Sequence, residues 1–317
     1  MNIKIVSVSL IIIFVVIGCS PKVATKKEAE PLPDFDKLWD YNNPGASEMK
    51  FRGLLPRAKE SGDISYYTQL LTQIARTQGL QRKFRDAHKT LDTVEGMLTD
   101  ELIVARVRYL LERGRTFNSS GYKDKAKPLF LQAYKTAAVN HLDFYAIDAI
   151  HMLQIVEPPE KQLEWAEKAL GMAEASTDER AKKWLGALYN NTGWTYFDLE
   201  QYDAALKLFE KSLKWREEQS DEHGMIIAKW TIARTYRETG KVEEALVMQK
   251  DVETTIQKKG LEPDGYVFEE IGECLLLLNK KDEAQPYFKK AYDILSKDEW
   301  IKANEPEHLK RLKELSE

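Results

Sequence analysis

The chain has 317 residues, 47 of them basic and 51 acidic, for a formal net charge of −4. With 43% hydrophobic and 31% charged residues it is excluded from the disordered, collagen-like and multi-span membrane classes. No basic excess argues for nucleic acid as a partner, and two cysteines cannot make a disulfide-stapled scaffold.

The first residues differ from all the others. Lys4 supplies a positive charge, and Ile5 to Ile17 run apolar except for Ser7 and Ser9. Thirteen helical residues rise about 20 Å, short of the roughly 30 Å hydrocarbon core, so the run reads as a secretory signal and not as a span. It ends in Val16-Ile17-Gly18-Cys19, which resembles the bacterial lipoprotein signal, or lipobox. The resemblance implies cleavage after residue 18 and acylation of Cys19, with several acyl chains giving lasting attachment to the bacterial membrane. Ser20 stands where an aspartate retains enteric lipoproteins in the inner membrane, which implies an outer-membrane protein facing the periplasm. Residues 19–33 are polar and end in Pro31-Leu32-Pro33, the composition of a flexible tether.

Residues 34–61 hold Trp39, Tyr41, Phe51, Leu54 and Leu55 around an Asn42-Asn43-Pro44-Gly45 turn, and are expected to cap the open end of the region beyond residue 61.

From residue 62 the pattern becomes periodic. A small residue lies twelve positions before an alanine in Gly193/Ala205, Ala233/Ala245 and Gly272/Ala284, and again upstream in Gly114/Ala126 and Ala75/Ala87. Aromatic and aliphatic residues keep register around them, such as Phe130, Phe209 and Phe288. Residues 142–175 form a weaker unit across Pro158-Pro159. These pairs resemble the small-residue anchors of the tetratricopeptide repeat, over residues 62–298. The resemblance implies an all-α, right-handed superhelical solenoid of about six helical hairpins with terminal caps. The last three anchor alanines are 40 and 39 residues apart, longer than the family's standard repeat. Polar, helix-forming stretches such as Lys214 to Gln219 suggest a lengthened second helix. Pro128 and Pro286 each fall two residues after an anchor alanine, early in that second helix, where a missing amide proton matters least. Residues 299–317, with Trp300, Ile301, Leu309, Leu312 and Leu315, are expected to close the stack as a cap helix.

The resemblance also places a binding groove on the first helix of each hairpin. One residue after the anchors come Arg76, Arg115, Trp194, Arg234 and Glu273; three before come Thr72, Leu111, Asn190, Trp230 and Glu269; four after come Gly79, Asn118, Phe197, Arg237 and Leu276. Trp194 and Trp230 either face a ligand or fill space between neighbouring helices. Arg234 and Arg237 share a face and either bind a ligand or pair with Glu269 or Glu273.

No catalytic constellation accompanies this face. The five histidines are scattered without metal-ligand spacing, and Cys274 sits in an apolar helix as a small buried filler. The sequence therefore reads as a membrane-anchored, non-catalytic scaffold without metal or cofactor, binding envelope proteins or peptides. The alternative is a periplasmic sensor of a peptide or small ligand.

Overall fold

Repeated spacing becomes repeated hairpins in the structure, a computed structural model that describes residues 31–317. The lipobox, Cys19 and most of the expected tether lie outside the described residues. Phe35–Glu317 forms one unit of a 3-10 helix (Phe35–Leu38) and sixteen α-helices, with no strand among the described residues.

The Asn42-Asn43-Pro44-Gly45 turn starts the first long helix, α1 (Pro44–Glu60). Asn43 accepts the amide of Ala46 and Pro44 sits at the first helical position, where its fixed φ costs nothing. Six hairpins come after it: α2/α3 (Ile64–Leu80, Phe84–Glu95), α4/α5 (Ile103–Ser119, Lys123–Val139) and α6/α7 (Asp143–Val156, Pro159–Ala175), then α9/α10 (Leu185–Asp198, Tyr202–Glu218), α11/α12 (Glu222–Glu238, Val242–Lys258) and α13/α14 (Gly265–Leu277, Lys281–Leu295). A short α8 (Glu179–Lys182) interrupts the series before α9. Two helices, α15 (Glu299–Asn304) and α16 (Pro306–Ser316), replace the single expected cap helix, because Pro306 cannot continue the first.

Five of the six hairpins turn by the same device. Arg82, Gly121, Glu200, Gly240 and Asn279 have φ between 59° and 91°, and the next amide reaches back to the helix carbonyl five residues earlier. Those bonds measure 2.8–2.9 Å in all five, from Lys83 to Gln78 through Lys280 to Leu275. This closes orphan carbonyls at each helix end in a Schellman motif. Only two of the five positions carry the glycine that the left-handed region favours.

The small anchors are buried, and aromatic rings crowd them. A Cβ added to Gly114 would lie 2.4 Å from Phe130; at Gly193 it would lie 2.5 Å from Phe209, and at Gly272 2.9 Å from Phe288. All three rings are at most 1% exposed. Where the anchor is alanine, the partner place holds the smaller Leu91 or Gln249, both fully buried. In these five hairpins a larger partner thus meets a smaller anchor and a smaller partner a larger one.

The second helices run 15–17 residues in the last three hairpins, and the connections after α10 and α12 are short, so the extra repeat length is helical. Pro128 and Pro286 lie deeper in their helices than expected. Each is the sixth residue, because both helices begin earlier, and an intrahelical bond is lost there.

Candidate partner-binding face

The first helices of successive hairpins are tied by ion pairs along the inner stripe. Arg76 of α2 reaches Glu112 of α4 at 3.2 Å, Arg115 reaches the same carboxylate at 2.6 Å, and Arg115 also pairs with Asp148 of α6. Burial opposes the Arg115 charge, but Asp148 and Glu112 outweigh it and hold the guanidinium above its ordinary pKa. Arg108, 6% exposed, is bound by Tyr145 Oη at 2.9 Å and by both oxygens of Asp36 from the 3-10 helix.

The same residues wall a cavity of about 350 Å³ open to solvent. Trp39 and Tyr41 stack at 4.7 Å on one side, and the Trp39 indole donates to Gln73 at 3.0 Å. Phe144 and Trp184 contribute further aromatic lining. The sequence placed Arg76 and Arg115 on the face but did not reveal Trp39, Arg108, Tyr145 and Trp184 as part of it. Extending the inner stripe one turn beyond Leu111, to six residues before Gly114, would have found Arg108.

Farther along, aromatic rings run across helices. Trp194 of α9 and Trp230 of α11 are 6.0 Å apart, Trp230 and Tyr266 of α13 6.5 Å, and Tyr266 and His308 of α16 6.4 Å. The Arg234 guanidinium lies 5.5–5.8 Å from the Trp194, Phe197 and Trp230 rings. Both tryptophans are half-buried, so each packs between helices while keeping one part accessible.

The charges beside them pair differently from the two options the sequence suggested. Arg237 binds Glu270 at 2.8 and 3.1 Å, and Arg234 reaches Glu270 at 3.3 Å. Glu270 is 2% exposed and lies on the side of α13 turned toward α11. Glu269 instead pairs with His308 at 2.8 Å, and Glu273 with Arg311. Those two carboxylates hold α16 in place.

Five buried polar side-chain atoms among the described residues lack a hydrogen-bond partner: Arg76 Nε, Asn118 Oδ1, Asn190 Oδ1, Arg234 Nε and Gln249 Oε1. The first four sit at the groove positions counted from the small anchors. Arg76 and Arg234 lie one residue after their anchors, Asn118 four after and Asn190 three before.

Elsewhere, Cys274 is fully buried and burial pushes its thiol up to about 12, the state of an unreactive filler. Among the described residues no three His, Cys, Asp or Glu side chains are grouped to hold a metal ion, and no helix is long and apolar enough to cross a membrane.

The architecture is an all-helical repeat solenoid of the tetratricopeptide type. Residues 184–258 and 267–294 match tetratricopeptide repeat models, so the repeats are recognised over the last three hairpins. The chain is 25% identical over 247 residues to human outer dynein arm-docking complex subunit 4, across 70% of this chain and 35% of that protein, so it spans about a third of its relative. Among solved structures it is similar to the apo form of RapI, with a TM-score of 0.67 and 16% identity over 84% of this chain and 76% of RapI. BtubC from P. vanneervenii gives a TM-score of 0.55 at 16% identity, covering 73% of this chain and 95% of that one. A Signal Transduction ATPase with Numerous Domains from Pyrococcus horikoshii, with a tetratricopeptide repeat sensor, gives 0.66 at 15% identity, over 86% of this chain and 44% of that one. At these identities the solved structures establish the fold.

Proposed function

We propose that the chain is a non-catalytic scaffold that binds segments of other proteins along its inner helical face and is held at a bacterial membrane by acyl chains on Cys19. The observation that carries the binding reading is the run of Trp194, Trp230 and Tyr266 rings across the inner helices, with the Arg234 guanidinium beside the two tryptophans. The accessible parts of Trp194 and Trp230 beside Arg234 add the aromatic-arginine chemistry that concentrates binding energy. A role in docking also agrees with the name of the human relative.

The anchoring half of the proposal rests on the Val16-Ile17-Gly18-Cys19 run, and Ser20 favours the outer membrane, facing the periplasm. A second reading, a sensor of a peptide or small ligand, is favoured by the aromatic cavity beside Arg76. The test is crosslinking in the native host. The wild-type chain is expected to capture a defined set of envelope proteins, and a Trp194→Ala/Trp230→Ala variant to lose most of them while keeping its helical circular dichroism. Equal capture by both would remove this face from the function.

A further inference from the structure

The C-terminal cap is fastened to the inner face by a histidine whose two ring nitrogens both meet carboxylates. His308 of α16 places Nε2 2.8 Å from Glu269 Oε1 of α13, and Nδ1 3.0 Å from Glu305 Oε2 at the junction of α15 and α16. A neutral imidazole carries one N–H, so it donates to one of these oxygens and turns a lone pair toward the other. Both contacts are hydrogen bonds only when the three side chains together hold one proton more than a neutral histidine supplies. That proton sits either on the ring, as imidazolium, or on a carboxyl oxygen facing it.

The surroundings favour keeping it. Burial lifts the Glu269 carboxyl above its ordinary 4.5; His308 opposes the rise, and Glu270 and Glu273 add to it. The Tyr266 ring lies 6.4 Å from the imidazole at an interplanar angle of 20°. Its hydroxyl is pushed up by burial and then by Glu305, Glu269, Asp298 and Asp264, with no basic side chain acting against them. The arginines at this end are committed elsewhere, Arg311 to Glu273 and both Arg234 and Arg237 to Glu270. On its other side α16 packs on α14 through apolar residues around Leu312, and Gln285 donates to the carbonyls of Ser316 and Glu317. Helix α14 makes no ion pair with α16 among the described residues.

We propose that Glu269, His308 and Glu305 form a proton-holding clasp that makes the seating of α16 on α13 sensitive to pH, tight while the shared proton is bound and loose once it leaves. Tyr266 and Glu269 end the inner face, so a loosened cap also frees that end. The clasp's response needs no partner and stands apart from the binding proposal. In the unfolded chain a histidine releases its proton near pH 6.5 and a glutamate near pH 4.3, whereas the clasp holds on. The contribution to the cap is therefore complete below about pH 6.5 and is lost as pH rises past it. Global unfolding sums this with every other titrating group, so it is read at the cap itself.

Hydrogen exchange with mass spectrometry on the full chain, expressed as protection factors at pH 6, 7 and 8, makes that reading. Protection of residues 306–316 relative to α11 is expected to fall about tenfold from pH 6 to pH 8, within the limit of tenfold per pH unit for one proton. Glu305→Gln lets a neutral ring satisfy both neighbours, because the amide donates to Nδ1 while Nε2 donates to Glu269. Its cap should stay protected at pH 8 and show little dependence on pH. His308→Leu should give weak protection at every pH, and unchanged protection of α11 would show that each variant keeps the solenoid folded. Wild-type protection that is flat or rises with pH overturns the clasp. So does an equal fall in Glu305→Gln, which would place the titrating group elsewhere.

Discussion

His151 shows how much of this face is set by single side chains. It lies on α6 against the Trp184 ring at 5.4 Å, between Asp148 and Arg115. Burial, and then Arg115, hold its pKa below the ordinary 6.5, against an opposing pull from Asp148. His88 is lowered in the same way by burial and Arg113. The unfolded chain accepts protons near pH 6.5 that the folded chain declines. Stability from these groups is therefore complete above that pH and declines as pH falls through it toward the folded values. A single histidine can add at most about 1.4 kcal/mol per pH unit to that slope. Urea midpoints at pH 7, 6 and 5 are expected to fall in the wild type and to fall less in His151→Gln. Parallel midpoints would show that His151 takes no part.

The packing of helix pairs was partly legible in the sequence. Spacing alone exposed the twelve-residue anchor pairs, since a helix repeats its face at short range and small residues at fixed intervals mark close approach. The match of anchor to partner was not read: glycine faces Phe130, Phe209 and Phe288, and alanine faces Leu91 or Gln249. It predicts an inversion of helix propensity. Gly171, with nothing within 4 Å of an added Cβ, should gain about 0.5–1 kcal/mol on replacement by alanine. Gly193→Ala should instead lose about 1–3 kcal/mol against Phe209, as in other overpacked cores. Phe209→Leu in the same chain should restore part of that loss, read as non-additivity of about 1 kcal/mol or more in denaturant midpoints. Strict additivity would mean that the ring and the glycine do not compete for one space.

Cross-helix charge pairing was harder to read at this scale. Arg234 and Arg237 could be placed on one face, but the choice of Glu270 over Glu269 or Glu273 depends on how α13 is rotated against α11, and one residue changes that direction by about 100°. The turns at Arg82, Glu200 and Asn279 carried no glycine to mark their left-handed backbone. The cavity was missed for another reason. Trp39 and Gln73 are 34 residues apart, and Arg108 and Asp36 are 72 apart, so no local pattern brings them together.

For the whole molecule, the fold supplies a long face, and the proposed anchor supplies a place to hold it. Six hairpins stacked in series bury the apolar stripes that each alone would leave exposed, and the ion pairs Arg76–Glu112–Arg115–Asp148 and Arg237–Glu270 tie successive inner helices. Removing one partner of such a buried pair leaves an uncompensated charge, so these arginines serve the scaffold before they serve a ligand. The groups left open are the accessible edges of Trp194 and Trp230 and the cavity beside Arg76. Residues 1–19 bear on where such a face would work, since acyl chains on Cys19 would restrict its partners to proteins within reach of the membrane.

Anchoring and binding are tested together by comparing wild type with Cys19→Ala in the native host, with acylation by metabolic labelling, membrane fractionation and crosslinked partners read in the same cells. The wild type is expected to be labelled and in the membrane fraction with a defined set of envelope partners, and the variant to lose the label, the membrane and those partners together. An unlabelled, soluble wild type would contradict the anchoring claim, and a labelled wild type with no protein partner would contradict the scaffold.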